Sequence, residues 1–204
     1  MSIPKLTYFD FAGSRGEEVR LALVIAGVAF DDNRIGRDAF AKIKQDLPFG
    51  SLPIFEVPSH GPLAQTNAIL RLIGRLHGLH PVDPWDGARH DAVMEACEDL
   101  RQRLSATSRM ADAAEKKAAR QALASDFVPR WARGIEDMIG KGPFIGGAQP
   151  AVADIKVYII EKALIGGTFD DIPTTVLKPF ARLNAVAHAV ANHPAVLTWY
   201  SPKS

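Results

Sequence analysis

The sequence predicts a chain in two parts, a small α/β domain followed by an all-α domain (α/β + all-α). Three observations carry this. Short apolar runs of strand length and an intervening helical pattern occupy the first 80 residues. A stretch with two prolines and a glycine, "HPVDPWDG" at 80–87, interrupts the pattern. Beyond it the segments are helical in character. The expected boundaries are 1–80 for the first domain, 81–87 for a linker and 88–204 for the helical domain.

Each element follows in order. Residues 5–11 read as a strand. Residues 16–26 read as a helix, because Val19, Ala22, Leu23 and Ala26 recur at helical spacing and Gly27 can stop it. "VAFDDNRI" at 28–35 reads as a second strand, and the polar stretch 40–47 as irregular or a short helix. "LPIFEV" at 52–57 is a third strand; "PSHGP" then turns the chain into a hairpin with Leu63 and Ala64. Residues 66–77 form a helix ending at Gly78, with Ala68, Leu72, Ile73 and Leu76 toward a core. The order is β-α-β, then β-β-α. In the second part, helices are expected over 92–110 and over 113–139 with a kink or break at Pro129. A loop at 140–150 precedes a largely buried helix at 151–164, and shorter helices cover 179–191 and 195–200.

The totals exclude several function classes. Net charge is +1 over 204 residues, with nine basic and eight acidic residues before His80 and fifteen of each after it. No basic stripe marks a nucleic-acid binder. One cysteine, Cys97, allows neither an intrachain disulfide nor a cysteine-based zinc site. No apolar run approaches the roughly 20 residues of a membrane span, and the N-terminal residues lack a signal-peptide pattern. A cytoplasmic (cytosolic) protein with no membrane or nucleic-acid partner is expected.

Three features of the first domain carry chemistry. Tyr8 stands at the end of the first strand, facing a loop that contains Arg15. Leu52-Pro53 opens the third strand, where a cis bond would leave the backbone groups of Leu52 free to pair with an extended peptide. Gln65 and Thr66 stand at a helix N-terminus, where free N–H groups and the helix dipole favour a carboxylate. Together they would hold a small peptide, with the phenol at its reactive atom.

The segments "KLTYFDFAG…EEVRLAL", "FGSLPIFEV" and "LAQTNAILRLIGRLHGL" resemble the thioredoxin-like domain of the cytosolic glutathione transferases, the sigma-like, tyrosine-type group most closely. "GPFIGGAQPAVADIKVY" and "NHPAVLTWY" resemble the same family's helical-bundle domain. The resemblance covers nearly the whole chain in the right order. It implies a homodimer that uses glutathione as cosubstrate, needs no metal, and directs the glutathione thiolate at a small electrophile or a peroxide. Tyr8 would hydrogen-bond the glutathione sulfur. A free thiol has a pKa of about 8.5, and a donor aimed at sulfur stabilises the anion selectively. Lowering that pKa by about 2 units corresponds to about 2.7 kcal/mol and makes thiolate the majority form. The alternative for Tyr8 is a strand residue with its hydroxyl on a backbone carbonyl.

The resemblance implies further contacts. Arg15 would add positive potential at the sulfur, in a loop one residue longer than the family pattern; Arg20 reads as structural. Gln65 and Thr66 would hold the γ-glutamyl carboxylate. Leu52, flanked by Ser51 and a cis Pro53, would pair with the cysteinyl backbone, and Lys44 would approach the glycyl carboxylate. Phe40 stands where sigma-like members often carry Trp. Asp99 would reach the tripeptide's amino group in the partner subunit. The second substrate would sit near Phe9, Arg101, Met110, Ile160 and Trp199. Asp154 reads as structural: Ala151 stands where the family has Ser or Thr, so half of a capping box remains.

Other features take an ordinary reading. "GKGPFIGG" follows a helix and lacks GK[ST], so it is no phosphate loop. His77 and His80 lack a third metal ligand. Cys97, within a helical pattern, reads as a small core residue. Three functions remain open: the transferase, a protein of the same fold that binds glutathione or apolar ligands without turnover, and a structural or assembly module using the helical domain.

Overall fold

The structure is a computed structural model that describes residues 3–202. It divides into two compact units. One gathers the residues through His80 with the segment from Asn192 onward; the other spans Pro81–Ala191.

The first unit contains β1 (Lys5–Phe9), α1 (Ser14–Ile25), β2 (Asp31–Ile35), α2 (Arg37–Ile43), β3 (Ile54–Glu56), β4 (Leu63–Ala64) and α3 (Thr66–His77). The sheet order is β2-β1-β3-β4. β1 runs parallel to β2 through the α1 crossover, and antiparallel to β3. β3 and β4 form the expected hairpin. The core gathers Leu6, Val19, Ala22, Leu23, Ile54, Phe55, Ile69, Leu70 and Ile73, all buried. On α3 the inward face is Ile69, Leu70 and Ile73, whereas Leu76 is 65% exposed. The buried stripe is therefore rotated about the helix axis from the expected one. Gly78 closes α3 in the left-handed conformation, φ 73°.

In the second unit α4 spans Pro84–Thr107. It starts well before residue 92, because Asp83 caps it by accepting from the Trp85 and Asp86 N–H groups. Pro84 then occupies a first-turn position where no N–H is needed. α5 (Ala113–Ala122) and α6 (Val128–Met138) are joined by a five-residue π-helical turn, Leu123–Phe127. Pro129 lies in the first turn of α6, so the expected interruption takes the form of this wide turn. α7 (Val152–Ile165), buried over most of its length, packs against α4 and α8 (Ala181–Ala191). α9 (Pro194–Tyr200) returns to the first unit and packs on α1.

Asp154 fastens the 140–150 loop to α7. Its carboxylate accepts from the N–H groups of Ala151 (2.7 Å) and Ile145 (2.8 Å). The methyl of Ala151 can return no bond, so half of the capping box operates. Burial pushes the Asp154 carboxyl up to about 7, against the pull of the N–H donors. Its folded pKa is thus above the unfolded value of about 3.9. The folded chain retains this proton where the unfolded chain has released it, so the Asp154 contribution falls as pH rises from about 4 to about 7. Asp154→Ala strands two buried N–H groups and is expected to lose about 3 kcal/mol in urea denaturation. Asp154→Asn has no proton to release and is expected to flatten that part of the stability–pH curve.

Candidate functional site

The sheet register brings the sequence-predicted chemistry of the first unit to one end of the sheet. Thr7 pairs with Ile54, and Ile54 with Ala64. β3 runs opposite to β1 and β4. The end of β1 (Tyr8, Phe9), the approach to β3 (Leu52, Pro53) and the exit from β4 (Gln65, Thr66) therefore lie at the same edge. Phe9 pairs with Ile35, the last residue of β2, so α2 also departs from that end.

Tyr8 is buried, 5% exposed. Its ring meets Phe9 edge-on at 5.5 Å and Phe11 at 5.7 Å. The guanidinium of Arg20 lies 5.9 Å from the ring centroid. The first turn of α1 presses on the ring: a Cβ on Gly16 would lie 2.0 Å from Tyr8 Cδ1. Among the described residues no hydrogen bond engages the hydroxyl, so the backbone-carbonyl alternative does not describe this phenol.

Arg15 is half-buried in the first turn of α1, and the loop enters that helix through Ser14 at φ 56°. Arg20 is fully buried and makes four bonds. It donates to the Phe9 and Phe11 carbonyls (3.2 and 3.0 Å), to Glu17 (3.2 Å) and to Asp32 (2.9 Å). It thus fixes the backbone just after Tyr8, on the loop side of the strand. Asp32 also accepts from Arg34, which reaches Asp10.

The Leu52–Pro53 peptide bond is cis. Pro53 is buried, Ser51 and Leu52 half-buried. Leu52 enters none of the turn or loop backbone hydrogen bonds. Gln65 caps α3 with φ 71° and ψ 111°, a left-handed region that a non-glycine residue adopts at a cost of about 1–3 kcal/mol. Thr66, next to it, is buried, and its hydroxyl has no hydrogen-bond partner; neither does the side-chain carbonyl of Asn67. A strained residue and orphaned polar atoms thus coincide at a helix N-terminus, where an anion is favoured. Phe40 sets its ring edge against Phe9 at 5.3 Å. Lys44 is exposed, in the turn after α2.

The remaining candidates belong to separate units. Trp199 is in the first: its indole N–H donates to Glu17 at 2.9 Å and its ring lies 6.1 Å from Phe30. Asp99, Arg101, Met110 and Ile160 are in the second. Asp99 lines a cavity of about 360 Å³ between α4 and α6, with Val93, Ala96, Trp131 and Ile135. Arg101 is buried, and Glu98 accepts from both Arg101 and Lys156 Nζ (2.6 Å). Ile160 is buried on α7, and Met110 is 39% exposed beyond the end of α4.

Sequence reasoning missed Gly16, Glu17 and Lys156. Lys156 had a signal, the single cation inside the apolar run "VADIKVYII". Among the described residues no group of three or more His, Cys, Asp or Glu is arranged to hold a metal ion, and no helix is long and apolar enough to cross a membrane.

Comparison with known proteins gives a consistent answer. The profile of the glutathione S-transferase N-terminal domain matches residues 4–75, and that of the C-terminal domain matches residues 98–203. Glutathione S-transferase 1 of Ascaris suum is 43% identical over 96 residues, covering 47% of this chain and 46% of that protein. S-crystallin 4 of Enteroctopus dofleini is 24% identical over 98% of this chain and 96% of that one. The solved structure of a prostaglandin synthase D from Nilaparvata lugens superposes with a TM-score of 0.86 at 28% identity, over 100% of both chains.

Proposed function

We propose that this chain, which belongs to the glutathione S-transferase family, is a tyrosine-type transferase acting on glutathione and a small electrophile. The observation that carries this is the single edge shared by an unengaged phenol, a cis Leu52–Pro53 segment and a helix N-terminus with an orphaned hydroxyl. The Thr66 hydroxyl, Gln65 and the α3 N–H groups take the γ-glutamyl carboxylate. The Leu52 backbone pairs with the cysteinyl residue between Ser51 and Pro53. Lys44 faces the glycyl carboxylate, and Phe40 packs beside the tripeptide. The thiol proton leaves to solvent, and the Tyr8 hydroxyl donates to the resulting thiolate, with Arg15 adding positive potential. The thiolate then forms a C–S bond at an electrophilic carbon as the leaving group departs with its electron pair, or attacks a peroxide oxygen, breaking the O–O bond to give the sulfenic acid of glutathione and an alcohol.

The protein works as a cytoplasmic homodimer in this reading, with Asp99 of one copy reaching the glutathione of the other. Phe49 is 80% exposed on a left-handed turn, φ 56°, an unusual place for an aromatic ring in a lone subunit. The apolar cavity beside Asp99 is suited to receive it from a second copy. Phe49→Ser is expected to shift the protein from dimer to monomer in sedimentation velocity.

Thr66→Val separates binding from folding. It removes a buried, unpaired hydroxyl, so the urea midpoint of the ligand-free protein is expected to hold or rise. Glutathione affinity, by calorimetry, is expected to fall about tenfold, as for the loss of one hydrogen bond to a charged group.

The reading is tested by incubating the purified protein with glutathione and a nitro-activated aryl halide. Turnover supports it. The second reading is a glutathione-binding protein without turnover. It draws on Phe40, which lacks the N–H of the tryptophan often found there, and on a relative named as a crystallin. Tight binding of glutathione with no conjugation would establish it.

A further inference from the structure

Tyr8 is not held by its own hydroxyl, so its position is set by what surrounds the ring. Two contacts come from the start of α1. Gly16 lies against the ring so closely that a Cβ would sit 2.0 Å from Cδ1 and 2.3 Å from Cγ. Arg20, one turn further on, grips the carbonyls of Phe9 and Phe11. Between Gly16 and Arg20 stands Glu17, fully buried.

The two carboxylate oxygens of Glu17 face different partners. Oε2 accepts from Arg20 Nη1 at 3.2 Å; Oε1 accepts from the indole Nε1 of Trp199 at 2.9 Å, 182 residues further along the chain. A buried carboxylate is costly unless charge-paired and hydrogen-bonded on both oxygens. Here one bond is internal to α1, and the other depends on α9. Trp199 is half-buried with its ring near Phe30, so this bond, that ring contact and the buried Val196 are among the contacts that hold α9 to the unit.

We infer that Glu17 is a positioning residue for Tyr8, anchored by Trp199. α9 fixes the Glu17 carboxylate; Glu17 orients Arg20 and the Gly16 turn; these set the Tyr8 ring and so the direction of its hydroxyl. Trp199, expected from the sequence among the second-substrate residues, thereby acts on the thiolate donor. The inference rests on the reading of Tyr8 as that donor for its catalytic consequence, but not for its structural one.

The test uses the full-length protein labelled with 3-fluorotyrosine. The chain has three tyrosines, and Tyr8→Phe assigns the fluorine signal of Tyr8. Trp199→Phe removes the indole N–H and retains an aromatic ring near Phe30. It is expected to move or broaden the Tyr8 signal in the ligand-free protein. It is also expected to raise the acid limb of the kcat/KM–pH profile by about one unit, with about a tenfold loss below that limb. Phe30→Leu, which weakens the packing of α9 but leaves the hydrogen bond, is expected to lower the melting temperature without either change. Gly16→Ala, which sets a methyl against the ring while keeping the Glu17 and Trp199 side chains, is expected to move the same Tyr8 signal. A Trp199→Phe protein that only loses thermal stability, with the Tyr8 signal and the acid limb in place, would overturn the inference. If the wild type shows no thiolate-dependent turnover, the proposed function fails, and the fluorine signal alone decides whether Glu17 positions Tyr8.

Discussion

Tyr8→Phe is expected to lower kcat/KM for conjugation roughly 50-fold near pH 6.5, approaching about 100-fold at lower pH, while leaving the melting temperature nearly unchanged. The stability half follows from the packing. The ring meets Phe9, Phe11 and the Gly16 turn, and a phenylalanine ring satisfies the same contacts. The hydroxyl has no hydrogen-bond partner among the described residues, so its removal strands no donor or acceptor. The activity half follows from the sulfur. Without a donor the bound thiol returns toward its ordinary pKa of about 8.5. A rise of about 2 units leaves roughly one hundredth of the thiolate at pH values below both pKa values. The loss should shrink as pH rises past the thiol's ordinary pKa, because thiolate then forms unaided. Steady-state rates at pH 6.5 and 9 check both the size and this convergence.

Arg20→Leu is expected to produce the opposite pattern, a severe loss of stability. The guanidinium is fully buried and joins Glu17 and Asp32 with the carbonyls of Phe9 and Phe11. Removing one member of a buried ionic cluster leaves the others uncompensated, at about 3–5 kcal/mol. Marginal domains hold about 5–15 kcal/mol in total. For a chain of this length the melting temperature should fall by about 10 °C or more. Differential scanning calorimetry checks it. A fall of only a degree or two would mean that water replaces the guanidinium and that the cluster contributes little.

The sequence was most legible where local chemistry decides the outcome. The range of α3 was readable because a turn precedes it and Gly78 ends it. The β-α-β, β-β-α order followed from short apolar runs and their turn residues. The candidate site residues of the first domain could be picked out one by one, since Tyr8, Leu52-Pro53 and Gln65-Thr66 lie in short segments with strong local character. Their common edge required the strand register. Pro84 was read as part of a linker because proline interrupts a helix; with Asp83 as cap it starts one. The inward face of α3 was misplaced because its apolar arc is broader than the buried stripe, and packing against α1 selects part of it. Glu17 and Gly16 were not legible as site or core residues, and Lys156 only through its place inside an apolar run. A charged residue reads as exposed until its partner is known, and the partners lie far off: Trp199 for Glu17, Glu98 for Lys156. Gly16 reads as a loop glycine until the tyrosine ring is seen to occupy the space a Cβ would need.

The central claim is that Tyr8 holds bound glutathione as a thiolate. Ultraviolet difference absorbance of the glutathione complex, titrated from acid to alkaline pH in the wild type and in Tyr8→Phe, measures this directly. A thiol pKa about 2 units below that of free glutathione, returning toward the free value in the variant, is the predicted result. Tight glutathione binding with the same, unshifted thiol pKa in both proteins would contradict it and leave a glutathione-binding protein in place of a transferase.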